Sequence, residues 1–224
     1  MCGRFAFYSP AEATAALFGV STSVDFSPRY NIAPSQEIAA IRQNADGEPE
    51  LVSFRWGLVP FWAKDASIGN RMINARAETV EEKPSFRNAY RKRRCLILVD
   101  GFYEWHREGE VKTPWYISPA DGHSCAFAGL WEDWTDKETG ESLQTATIVT
   151  TAADEFMSRL HSRMPVLLTP EHASRWMGGD TQLLGEAAAV YPKMQAWPVD
   201  RNVNNARNQD ADLIEPAGAT IFAQ

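Results

Sequence analysis

Apolar positions recur at two different periods along this chain. Residues 37–42 and 50–56 alternate or run apolar on either side of Asp46-Gly47, a pair suited to a tight reversal, and together they predict a β-hairpin. Residues 95–105, 113–117, 124–134 and 144–151 repeat the strand pattern, with connections near Gly109, Gly122 and Gly140. Helical signals flank this β-rich middle. Ser9-Pro10-Ala11-Glu12 reads as an N-cap, a first-turn proline and a capping-box glutamate, with Gly19 ending a short helix. Residues 154–160 carry Phe156 and Leu160 four apart, and residues 170–177 are opened by Thr169 and closed by Gly178-Gly179. The segment ahead of the first helix is expected to be extended, and residues 24–36, rich in Pro, Ser and Asn, to be irregular.

Strands that cluster instead of alternating with helices favour an α+β fold over a doubly wound one. The expectation is a single domain over residues 1–224, with its core at about 2–215. It would contain a curved, mainly antiparallel, barrel-like sheet with short flanking helices. A chain of 224 residues with 44% hydrophobic content is long enough to bury a full core. No run approaches the roughly 18 apolar residues of a membrane span, and the start lacks the basic and apolar regions of a signal peptide. A soluble cytoplasmic protein is therefore expected, nucleoid-associated if bacterial, with no membrane partner. Cys2, Cys95 and Cys125 lack metal-type spacing and fit reduced thiols.

The formal charge is 22 − 29 = −7, and the pI is near 5.2. The overall field thus opposes coating of nucleic acid, and any polyanion site must be local. The dense basic run Arg91-Lys92-Arg93-Arg94 reads first as a solvated strand edge.

The most informative chemistry is at the start, Met1-Cys2-Gly3-Arg4-Phe5. Removal of Met1 gives Cys2 a free α-amine two carbons from its thiol, a 1,2-aminothiol. With the amine titrating near about 7.7 and an ordinary thiol near about 8.5, fractions of both are nucleophilic at neutral pH. An amine alone forms a hydrolysable imine with an aldehyde, whereas the neighbouring thiol can close a durable five-membered thiazolidine. Glu104 closes an apolar run in Asp100-Gly101-Phe102-Tyr103-Glu104-Trp105. Partial burial would raise its pKa towards neutrality, although a strand-end ion pair is the competing reading. His161 precedes Arg163 and Pro165 at a bend that could project its imidazole into a cleft, while His106, His123 and His172 are expected to face solvent. Phe61 and Trp62 beside Pro60, like Trp56, read either as core or as a base-stacking platform. No metal-binding spacing, phosphate loop or dinucleotide fingerprint is present, so neither a metal nor a cofactor is expected.

Taken in order, several segments resemble the SRAP family, the SOS response-associated peptidase fold whose members shield abasic sites in single-stranded DNA by covalent capture. These are Met-Cys-Gly-Arg at the start, Arg29-Tyr30-Asn31-Ile32-Ala33-Pro34, Trp56-Gly57 with Pro60 and Trp62, and Ile73-Asn74-Ala75-Arg76-Ala77-Glu78-Thr79. They continue with the Asp100 to Trp105 segment, Leu160-His161-Ser162-Arg163-Met164-Pro165 and Asn205-Ala206-Arg207-Asn208.

The resemblance implies that Cys2 is the nucleophile, that Asn74 holds it by hydrogen bonding, that Glu104 moves protons as the sugar ring opens, and that His161 assists proton transfer. It implies phosphate contacts from Arg4 and Arg76, with Arg207 a weaker match, and a strand-binding surface including Asn31, Pro34, Phe61 and Trp62. Some relatives carry a second tryptophan where this chain has Ala63, which leaves open whether Trp62 or Phe61 supports the flanking base. The implied partner is single-stranded DNA containing an abasic site, the implied state a monomer. The implied chemistry is thiol-dependent, lyase-like crosslinking, alongside a peptidase or hydrolase activity matching removal of Met1. Two other readings stay open. One is an N-terminal-nucleophile amidohydrolase, which would use the terminal amine as base for the Cys2 thiol. The other is a non-covalent single-strand binding module indifferent to Cys2.

Overall fold

The computed structural model describes residues 2–21, 26–186 and 193–222, so Met1 and the first two positions of the expected irregular stretch lie outside the described residues. The chain forms β1 (Phe5–Phe7), α1 (Ala11–Leu17), β2 (Arg29–Ile32), β3 (Glu37–Gln43), β4 (Pro49–Trp56), β5 (Asn74–Arg76), α2 (Arg87–Lys92), β6 (Arg94–Val99), β7 (Gly101–Glu108) and β8 (Val111–Pro119). It continues with β9 (Cys125–Thr135), β10 (Ser142–Ala152), α3 (Glu155–Ser158), β11 (Arg163–Pro165), β12 (Leu167–Leu168), α4 (Pro170–Met177), β13 (Met194–Pro198) and β14 (Ile221–Phe222). Short 3-10 turns occupy Ala66–Arg71, Gln182–Leu184, Arg201–Asn204 and Ala211–Ile214. This is the expected α+β class.

Two sheets organise the molecule. In the first, β3 pairs with β4 and β6, β6 with β9, and β9 with β10, all antiparallel. The circuit closes where β10 runs parallel to β4, with Thr145 opposite Arg55 and Ala146 opposite Trp56. Five strands thus form a barrel without a free edge along that circuit, while β5, β11 and β12 extend its rim. The second sheet is open, in the order β14-β13-β8-β7-β1-β2. Phe5 and Phe102 of this sheet meet Phe127 of the barrel edge-on, at centroid distances of 5.6 and 6.0 Å, and Phe5 also meets Trp56 at 5.2 Å. Each such ring contributes about 1.5–3 kcal/mol through burial, so these contacts weld the sheets where the N-terminal strand crosses the barrel.

The hairpin over residues 37–56 forms as the alternation predicts, with Gly47 at φ 84°. Elsewhere the structure corrects the sequence reading. Residues 95–105 are two strands in different sheets, broken at Asp100, whose carboxylate accepts the N–H groups of Tyr8 and Ser9 at 2.7 and 2.8 Å. That capture also draws Ser9 away from the helix end, so α1 starts from Pro10 without a side-chain cap. Residues 29–32, expected to be irregular, form β2 because β1 offers its edge. In the basic run, Arg91 and Lys92 end α2, whereas Arg94 is buried and donates to the carbonyls of Tyr90 and Trp176.

Candidate active site

The site lies where β1 of the open sheet approaches β5, β10 and β11 at the barrel rim. The β1–β7 pairing sets Phe5 opposite Phe102, and the Tyr103 N–H donates to the Arg4 carbonyl at 2.9 Å. Continued past the end of β1, this register places Gly3 opposite Glu104, one residue from Cys2. Asn74 opens β5, which pairs in parallel with β10 at Ile148. Its side-chain Nδ2 donates to the Cys2 carbonyl at 2.8 Å, while its Oδ1 is buried without a hydrogen-bond partner. Three segments far apart in sequence therefore converge on the second residue of the chain.

Cys2 is fully buried, and its Sγ lies 3.9 Å from the Arg4 carbonyl. Burial drives the thiol pKa far above its ordinary value, and the Glu104 carboxylate raises it further. The expectation of a partly ionised thiol at neutral pH is thus corrected. The sulfur rests as S–H, and its activation requires a base. Glu104, only 4% exposed on the middle of β7, is the carboxylate whose charge reaches that sulfur.

His161 follows α3 and is half-buried. Its Nδ1 lies 3.0 Å from the Arg163 N–H and 3.1 Å from the Arg163 carbonyl. A neutral ring accepts from the former and an imidazolium donates to the latter, so Nδ1 keeps a backbone partner in either protonation state. That arrangement suits a group that gains and loses a proton in place.

Arg4 is half-buried, and its NH1 donates to Asn31 Oδ1 and to the Val203 carbonyl, both at 2.7 Å. Its guanidinium carbon sits 5.7 Å from the Trp105 ring centroid. Burial lowers its pKa from the ordinary arginine value, opposed by Tyr103. Asn31, expected on the strand-binding surface, has no exposed side chain. Its Nδ2 reaches the carbonyls of Val203, Asn205 and Asn208 at 3.2, 3.0 and 3.0 Å. It fastens the loop carrying Arg207 to β2 and orients Arg4.

Arg76 and Arg207 are exposed, and Pro34 is half-buried. Trp56 belongs to the core, with its Nε1 donating to the Ile73 carbonyl at 2.9 Å, whereas Phe61 and Trp62 are 55% and 45% exposed. The loop presenting these two rings is held by a reciprocal glycine contact: a Cβ on Gly57 would lie 2.5 Å from the Gly69 oxygen, and a Cβ on Gly69 2.5 Å from the Gly57 oxygen. Ala63 is buried and accepts the Trp134 indole N–H at 2.8 Å, so the turn is anchored immediately behind the two exposed rings.

Arg163 is named in the sequence reading only beside His161, with no role of its own. It forks onto both oxygens of Glu78 at 2.7 and 3.0 Å and donates to the Thr150 carbonyl at 2.7 Å. Its position two residues after His161 was the available signal. Of the other histidines, His123 is exposed as expected. His106 and His172 are not: both are half-buried, and His172 Nδ1 pairs with Thr169 Oγ1 at 2.8 Å. Among the described residues no three His, Cys, Asp or Glu side chains converge as a metal-binding group, and no helix is long and apolar enough to cross a membrane.

Comparison with known proteins places this arrangement in context. The chain is 41% identical over 224 residues to the abasic site processing protein YoqW of Bacillus subtilis, covering 96% of this chain and 99% of that one. It is 32% identical over 228 residues to the abasic site processing protein YedK of Escherichia coli, covering 96% of this chain and 100% of that one. A crystal structure of a protein from Bacteroides thetaiotaomicron superposes with a TM-score of 0.84 at 29% identity, covering 96% of this chain and 100% of that chain. The family model of the SOS response associated peptidases matches residues 1–206, and the chain belongs to that family.

Proposed function

We propose that this protein processes abasic sites, as its relatives' names describe for them, and that it does so in single-stranded DNA by capturing the lesion covalently on Cys2 after removal of Met1. The observation that carries the reading is the convergence on Cys2, with its carbonyl held by Asn74 and its thiol under the field of buried Glu104.

The buried S–H argues that the amine reacts first. In the ring-closed abasic sugar, Glu104 accepts the hemiacetal hydroxyl proton and the ring oxygen takes up a proton as the aldehyde opens. The Cys2 amine then adds to C1, and loss of one water gives the imine, with His161 shuttling the proton. The thiol adds across the C=N bond: sulfur bonds to carbon, and the S–H proton passes to nitrogen through Glu104. The sum is a thiazolidine plus water, with no redox change. The Cys2 amine adds in its neutral form; protonation of the imine nitrogen it becomes, two carbons from the sulfur, then opposes the Glu104 charge and favours ionisation of the thiol. The orphaned Asn74 Oδ1 is an acceptor suited to that amine.

Binding needs only a local site on this acidic chain. Arg4, Arg76 and Arg207 supply phosphate contacts, Phe61 and Trp62 a stacking surface, and Pro34 a neighbouring wall, while Asn31 acts through Arg4. The test is a denaturing gel of the mature protein with an oligonucleotide carrying one abasic site, beside intact DNA and Cys2→Ala. A shifted band requiring both lesion and Cys2 is expected. Its absence, with Met1 removal verified by mass, would discard covalent capture in favour of amide hydrolysis or simple strand binding.

A further inference from the structure

His106 has no part in the chemistry above, yet it lies two residues beyond Glu104 on β7, where strand alternation puts both side chains on one face. Its ring is half-buried, and its Nδ1 lies 3.4 Å from the carbonyl of Leu160. The N–H groups of Leu160 and His161 both turn back to the Met157 carbonyl at 2.9 Å, closing a tight turn just beyond α3 in which Leu160 lies two residues past the helix end at Ser158.

We infer that His106 is a positioning residue for His161: by donating from Nδ1 to the Leu160 carbonyl, it fixes the turn that presents His161 to the strand that presents Glu104. The contact is long for a hydrogen bond, so its energy is small and its effect geometric. Through the Leu160 carbonyl, His106 joins the strand that carries Glu104 to the turn that carries His161. A displacement of about 1 Å in such an arrangement can cost up to about a hundredfold in rate. The capture role of His161 rests on the function proposed above, but the placement itself does not.

The experiment compares His106→Ala, His106→Asn and His106→Gln in the mature protein. Asparagine carries its Nδ2 where histidine carries Nδ1, whereas glutamine sends its amide one methylene further, towards the Nε2 position. In the free protein, the His161 ring resonances should move in His106→Ala and return in His106→Asn. With an abasic oligonucleotide, His106→Ala should slow adduct formation about tenfold, His106→Asn should recover to within about twofold, and His106→Gln should not, while affinity for intact single strands stays unchanged in all three. Unmoved His161 resonances in His106→Ala would overturn the inference whether or not any adduct forms. A wild type that forms no adduct but whose His161 resonances respond as described would leave the positioning role standing and remove the capture reading. Equal recovery by glutamine would also overturn it, because filling the space would then suffice.

Discussion

The side chain of Asn74 binds the backbone of Cys2, not its sulfur: Nδ2 donates to the Cys2 carbonyl at 2.8 Å. Cys2 is thereby held by its main chain, which in the proposed capture leaves its amine and thiol to react. Asn74→Ala should slow adduct formation about tenfold, the effect of losing one hydrogen bond worth about 1 kcal/mol together with the alignment it enforces. Rates from quenched time courses on denaturing gels would check this. An unchanged rate would mean that β1 alone positions Cys2.

Glu104→Gln keeps the shape of the side chain and removes its charge. Because the carboxylate raises the Cys2 thiol pKa, its removal should lower that pKa, and alkylation of Cys2 should then begin at lower pH than in the wild type. Adduct formation should nevertheless become slower, since the base is gone. A variant whose alkylation profile matches the wild type would show that Glu104 does not act on the sulfur.

The Arg163 guanidinium holds the Glu78 carboxyl below the usual carboxylate range. A depressed folded-state pKa contributes stability above the unfolded value of about 4.3, and that contribution disappears as the pH falls through the lower folded value. Glu78→Gln should therefore melt below the wild type at pH 7, with the gap closing under pH 4. The Glu78 side chain is 47% exposed, so the gap should be small. A gap independent of pH would assign the effect to packing.

Exposed rings should matter for binding and little for folding. Trp62→Ala and Phe61→Ala should each weaken single-strand affinity by about 1–3 kcal/mol if the ring stacks on a base, with little change in melting temperature. Fluorescence titration at fixed salt against an intact oligonucleotide measures this. Wild-type affinity in both variants would place the strand elsewhere.

Asn31→Ala should behave in the opposite way. It strands the carbonyls of Val203, Asn205 and Asn208 and removes one acceptor from Arg4, so a loss of about 2–4 kcal/mol in urea unfolding is expected. Weaker strand binding should accompany it through a misplaced Arg4. Undiminished stability would contradict the role given to this amide.

These residues also show what the sequence could convey. The hairpin over residues 37–56 was legible because alternation and a turn glycine are both local signals. The break at Asp100 was not, since it depends on N–H groups of Tyr8 and Ser9 more than ninety positions away. The parallel closure of β4 on β10 is likewise a long-range pairing that leaves no periodic trace. Cys2, Asn74 and Glu104 could be named from motifs, but burial of the thiol, the inward turn of Asn31 and the tether from His106 all depend on which segments pack together. Tertiary context decided each of them.

The depth of Cys2 has one more consequence. Peroxides and disulfides attack thiolates, and a sulfur kept protonated and fully covered offers them almost none. Conditions that oxidise cellular thiols also damage nucleobases, so under the proposed capture the thiol must survive the circumstances that create its substrate. A thiol that stays protonated until the proposed imine forms beside it would remain unspent through that interval and be consumed once.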